Sequence, residues 1–144
     1  MIFDKSLLFS NDQAVTATAA STNVVDLGVS RDIGIGTPIE VWCSVTNTTV
    51  SAGSTTLVVD LQTDTDVAFG TAVNLITTAA IAKATLVAGY EIFKIKMPMG
   101  VLRYLRLNYT VAVANFSAGN FRAGLILNRQ ALVYPASGLN TGGF

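Results

Sequence analysis

Histidine is absent from this 144-residue chain. That removes the side chain most used for proton transfer near neutral pH, and the commonest zinc ligand. Ser/His/Asp and Cys/His nucleophile arrangements are excluded with it. A lysine or carboxylate mechanism stays open, but nothing marks one, so the chain is not expected to be an enzyme. Cysteine occurs once, as Cys43, so no intrachain disulfide can form and nothing points to an oxidising compartment. In "IEVWCSV" it shares a face with Ile39, Val41 and Val45, the setting of a buried, inert thiol. Charge is scarce: 12% of residues are charged, nine of each sign, against 51% hydrophobic. So little charge favours association over colloidal repulsion and points to permanent assembly. A large, well-filled core under a Thr-rich surface gives the same composition. Basic runs are missing too. Arg31, Arg103, Arg106, Arg122 and Arg129 are scattered and balanced by acids, so nucleic acid, which requires a positive footprint, is a poor partner. The best apolar run, "LITTAAIAKATLVAG", is short and broken by Lys83, below the roughly 18 residues of a membrane helix. "MIFDKSLLFSNDQ" sets Asp4 and Lys5 where a signal peptide needs an apolar stretch, so no secretion signal is expected.

What is there is strand periodicity. In "VLRYLRLNYTV", Val101, Arg103, Leu105, Leu107, Tyr109 and Val111 share one face. Leu102, Tyr104, Arg106, Asn108 and Thr110 share the other. The first is a core face; the second touches either its own second sheet or another protein. Similar short segments recur: "QAVTATA", "TNVVDLG", "PIEVWCSVTN", "TTLVVDLQT", "AVNLITT", "YEIFKIKMP" and "AGLILNRQ". About eight strands with turn residues between them predict an all-β, single-domain antiparallel sandwich or jelly roll over residues 1–144. A helix around residues 77–88 is disfavoured by its β-branched content. Residues 1–12 carry Ile2, Phe3, Leu7, Leu8 and Phe9, too apolar for a free tail. They form either an edge strand or an arm that reaches a partner. Residues 135–144 read as a flexible tail, whose Phe144 would sit oddly in water and suits a partner contact.

Several motifs are weaker than they look. "GIGTP" lacks the third glycine and following helix of a phosphate loop, and reads as a hairpin-type turn. Asp60, Asp64 and Asp66 in "DLQTDTD" have the charge for calcium but not the spacing of an EF-hand; short polar residues are also good turn formers. No cofactor or metal is expected. Trp42 lies opposite Cys43 with Glu40, Ser44 and Thr46, and Tyr104 opposite Leu105. Such rings can be core residues, interface anchors or platforms for sugar rings.

The opening "MIFDKSLLFSNDQAVTATAASTNVVDLG" resembles that of the capsid cement proteins of short-tailed bacteriophages, the Bbp16-like family. "VWCSVTNTTVSAGSTTLVVDLQTDTDVAFGTA" and "FKIKMPMGVLRYLRLNYTV" are similar to it in order, so the likeness spans essentially the whole chain. The resemblance implies a jelly-roll sandwich seated as dimers on the outer surface of an icosahedral head, assembled in the host cytoplasm. There it would clamp neighbouring major capsid protein subunits, without catalysis or cofactor. It carries over no single binding residue. Reading the residues themselves, the capsid or dimer interface falls to Ile2, Phe3, Leu7, Phe9, Trp42, Tyr104, Arg106 and Phe144. Deleting residues 1–9 is then expected to abolish capsid binding and leave the fold intact. The alternative is a carbohydrate-binding module on a virion, using Trp42, Tyr104, Arg106 and Asn108.

Overall fold

The computed structural model describes residues 4–36 and 38–127. A 3-10 turn, η1 (Lys5–Leu7), is followed by β1 (Leu8–Ala14), β2 (Ala19–Ala20), β3 (Val25–Asp26), β4 (Ile39–Val50) and β5 (Thr56–Asp64). Then come β6 (Val73–Thr77), β7 (Ile81–Ala82), β8 (Glu91–Lys96), β9 (Tyr104–Ala112) and β10 (Ala118–Leu127). All pairings are antiparallel, in two sheets. The first has the order β1-β10-β4-β8; the second has β2-β9-β5-β6, with β3 also on β9 and β7 also on β5. β2 with β3, and β6 with β7, act as two interrupted strands. This leaves four strand positions per sheet, and the chain crosses from sheet to sheet in the winding of a jelly roll. No α-helix occurs among the described residues, and 77–88 is strand and turn.

The core follows from period-two alternation on the long central strands. Val41, Cys43 and Val45 of β4 and Phe121, Ala123 and Leu125 of β10 face Leu57, Val59 and Leu61 of β5 and Leu105, Leu107 and Tyr109 of β9. Burying each larger apolar side chain contributes about 1.5–3 kcal/mol. The thiol of Cys43 is fully enclosed, and burial pushes it up to about 12, so the inert reading holds.

Several segments depart from the sequence expectation. The strand expected at "QAVTATA" lies upstream as β1, an edge strand that starts at Leu8. Its register jumps from Leu8↔Gly124 to Ser10↔Ala123, so two residues face one across a bulge. The bulge turns both Phe9 and Ser10 inward, each 0% exposed. Ser10 Oγ lies 2.8 Å from Tyr109 Oη of the facing sheet. "AGLILNRQ" begins five residues early as β10; residues 128–130 of that segment, like residues 135–144, lie outside the described residues. Turn formers at Gly119 and Asn120 hid this, because pairing with β4 overrides them. A Cβ on Gly119 would sit 2.8 Å from Thr49 Cγ2, a close approach that only glycine permits. "GIGTP" is no hairpin turn: it belongs to the loop crossing from β3 in the second sheet to β4 in the first.

Asp64 and Asp66 are turn formers. Asp64 accepts from the N–H of Asp66 at 3.0 Å and of Thr71 at 2.9 Å, and Asp66 from the N–H of Ala68 at 3.0 Å. Asp60 stands apart in mid-strand, opposite Asn108 and Thr77. Among the described residues no three His, Cys, Asp or Glu side chains converge on a metal position. The N–H of Asp66, with further help from Thr71, holds the Asp64 carboxyl below its usual range, against the opposing pull of burial. A folded-state pKa below the unfolded one gives stability that is present above the unfolded value of about 3.9 and lost as pH falls through the folded value. Denaturant midpoints are therefore expected to drop between about pH 5 and pH 2, and Asp64→Asn to make that drop shallower.

Candidate interaction surface

The sandwich offers two outer faces, two edges and two poles. The edges are poor docking rails. β1 carries two register shifts and a left-handed Asp12 (φ 58°), and the second sheet's edge strands are short and interrupted. β8 presents Lys94 and Lys96, with Lys94 Nζ 3.4 Å from Glu40 Oε2. Such features oppose strand addition by another chain.

The outer face of the first sheet carries Trp42 in a row with Gly124 and Leu8. Trp42 does lie opposite Cys43, yet it is only 7% exposed, beside Leu8 and Ile126, which are equally enclosed. Its Nε1–H donates to Glu91 Oε2 at 2.9 Å. It is therefore a buried packing residue on the outer side of a sheet, not a free ring. Phe9 faces the core and is spoken for; neither side chain can meet a partner without rearrangement. Leu7, half-buried, ends the turn that Asp4 caps by accepting from the N–H of Ser6 at 2.9 Å. Ile2, Phe3 and Phe144 lie outside the described residues.

The outer face of the second sheet bears Tyr104, Arg106, Asn108 and Thr110, all partly exposed. They point away from the other sheet, so this face of β9 does not pack within its own sandwich. Neighbours hold it in place. The Arg106 guanidinium lies 4.1 Å from the Phe69 ring centre, and its Nε–H donates to Gln62 Oε1 at 2.8 Å. Gln62 Nε2 donates in turn to Asn74 Oδ1 at 3.0 Å. Arg103 covers Tyr104 at 4.8 Å and forks onto Asp26 at 2.9 and 3.0 Å. The structure thus brings Tyr104 and Arg106 together, and keeps Trp42 on the opposite side of the molecule.

One surface went unread in the sequence: the pole where the β3–β4 loop, the β8–β9 turn, η1 and the end of β10 meet. An open pocket of about 220 Å³ lies there, lined by Leu7, Leu27, Ile33, Ile39, Leu125 and Leu127. Arg31 stands at its rim. Asp32 ties the loop to the β8–β9 turn by accepting from the N–H of Gly100 at 2.6 Å and of Val101 at 2.9 Å. Val29, Ile35, Met99 and Leu127 are exposed by 61, 76, 74 and 64%. The signal was available in "LGVSRDIGIG", where apolar residues alternate with glycine and polar ones in a segment with no strand to bury them.

Among the described residues no helix is long and apolar enough to cross a membrane. No curated protein matches the chain. The family model Bbp16 matches residues 9–125, which runs from within β1 to within β10. The chain therefore belongs to the Bbp16 family, a phage-associated one.

Proposed function

We propose that this protein is a structural, non-catalytic component of the phage virion. It binds the outer surface of the icosahedral head as a homodimer and cements neighbouring major capsid protein subunits. The observation that carries this reading is the family match over residues 9–125, from β1 into β10. The physical character of the chain supports it. A cement protein works through many copies of a modest interface, and each bound copy stabilises only the assembled shell. It needs burial and shape complementarity, not a polar cleft. A stiff jelly roll with blunted edges and little net charge is suited to that task. A twofold dimer pairs identical patches, which fits sites of local twofold symmetry between capsomers.

The test is co-sedimentation of the purified protein with expanded phage heads lacking it. Saturable binding at a fixed ratio to the major capsid protein is the expected result. Absence from the pellet at both low and moderate salt would sink the reading and bring the glycan alternative forward. That alternative now rests on Tyr104, Arg106 and Asn108, because Trp42 is enclosed.

A further inference from the structure

We propose that the homodimer forms through the outer face of the second sheet, with Arg106 of each copy reaching Asp60 of the other. This inference rests on the homodimer of the reading above, and assigns it a surface and a recognition pair.

Asp60 is the observation that carries it. It stands in the middle of β5, in a row that runs Ala20, Asn108, Asp60, Thr77 across the second sheet. Val59 and Leu61 on either side face the core, so Asp60 belongs to the outer face. Yet it is only 7% exposed, and its Oδ1 is shut from solvent with no donor among the described residues. An enclosed carboxylate oxygen without a donor is unfavourable, and calls for a cation or N–H from outside the chain. Such a cation stands on the same face. Arg106 is one row away on β9, opposite Gln62, at the roughly 7–8 Å of diagonal neighbours. Within one chain the two make no ion pair among the described residues. Gln62 takes the Arg106 Nε–H at 2.8 Å, and the guanidinium lies 4.1 Å from the Phe69 ring centre. Its Nη groups donate to nothing among the described residues.

The neighbouring charges on this sheet are already engaged. Arg103 and Asp26 fork onto each other, and Asp64 takes the N–H groups of Asp66 and Thr71. What remains is one carboxylate and one guanidinium, close together and unpaired, which is a self-complementary pattern. Two copies lying face to face, about a twofold axis in the plane between them, set each Arg106 over the other copy's Asp60. Gln62 and Asn108, on the opposite diagonal, then fall near the axis and meet themselves; an amide both donates and accepts. The area suffices. β5 and β9 are nine residues long in a sheet four strands wide. Standard strand spacings make that face roughly 550 Å², so two copies hide about 1,100 Å², enough for a specific contact. Tyr104 and Arg106 are of the residue types that anchor interfaces. The first sheet's outer face also holds an unpartnered group, Arg122 Nε. Its acids, however, are engaged: Glu40 with Lys94, Glu91 with Trp42 and Asp12 with Thr46.

Sedimentation equilibrium of the full chain tests the pair. The wild type is expected to be a dimer. Asp60→Asn removes the charge at constant shape, and Arg106→Glu sets carboxylate against carboxylate. Each is expected to raise the dimer Kd at least about tenfold, and Arg122→Gln, on the opposite face, to leave it unchanged. Asn108→Cys gives a second readout that requires no loss of binding. Cys43 is enclosed, so the introduced thiol is the only reactive one in the folded protein. Facing sheets stand about 10 Å apart, too far for a disulfide, so a short bismaleimide is the probe. It is expected to link two copies through position 108, and not through Lys96→Cys on β8. A dimer that neither charge variant weakens, that Arg122→Gln weakens as much, or that gives no link from position 108 would overturn this face and leave the cement reading in place. A wild-type monomer that still co-sediments with heads would remove the homodimer and this inference, but not cementing. If that monomer also loses the heads on Arg106→Glu, the face is the capsid contact and the pairing of copies is overturned.

Discussion

Phe9→Ala is expected to cost about 3–5 kcal/mol of folding stability, the range for truncating a large enclosed aromatic. Phe9 is 0% exposed and belongs to the common core. It sits on β1, an edge strand held to the sheet by β10 alone. The bulge that turns it inward leaves little slack to refill the space. Gly124 lies directly under this segment, where a Cβ would sit 2.9 Å from the Leu7 carbonyl oxygen and 3.2 Å from Leu8 Cα. β1 therefore already rests at backbone contact, and cannot settle closer to close a cavity. Urea unfolding of wild type and variant, followed by circular dichroism, checks the value. A loss below about 1 kcal/mol would mean that β1 docks loosely. The same geometry corrects the expectation for the deletion of residues 1–9. That deletion removes Leu8 and Phe9 along with η1, so it is expected to unfold or severely weaken the sandwich instead of leaving it intact. Loss of capsid binding by such a truncation would say nothing about an interface.

The sequence disclosed the long strands because their environment is simple. β4 and β9 pair on both sides and bury one face, so alternation alone set Cys43 and Leu107 inward. The same alternation failed at β1. There a bulge breaks the period, and Leu8, Phe9 and Ser10 are buried in succession. Trp42 shows a second limit. Its face was legible, but its burial was not: the enclosed Leu8, 34 residues earlier, reaches the same row only through Gly124 in the β1-β10-β4 order. The pole was the least legible feature of all. Its residues come from a loop, a turn and both ends of the described chain, so no local spacing relates Arg31 to Leu7 or Leu125. The jelly-roll winding is what gathers them.

Cys43 gives the second large effect, and a direct readout of the first. It lies in a row with Ser10, Ala123 and Phe93 across all four strands of the first sheet, beneath the facing sheet. Its thiol is enclosed and held up to about 12, so at neutral pH it is neither accessible nor ionised. Thiolate is the reactive form. Labelling by a maleimide or an aromatic disulfide must therefore await opening of the sandwich, whose unfolded population is typically about 10⁻³–10⁻⁶. Native protein is expected to react at least about a thousandfold more slowly than urea-unfolded protein under the same thiol conditions. When opening and closing are fast compared with labelling, the rate tracks the population of the open state. Phe9→Ala should then accelerate labelling by about two to three and a half powers of ten, since each 1.4 kcal/mol is a factor of ten. A smaller acceleration, with the full stability loss seen in urea, would place the opening that frees Cys43 elsewhere than at β1, at the β8 edge on its other side. Fast labelling of the native wild-type protein would contradict the closed core itself.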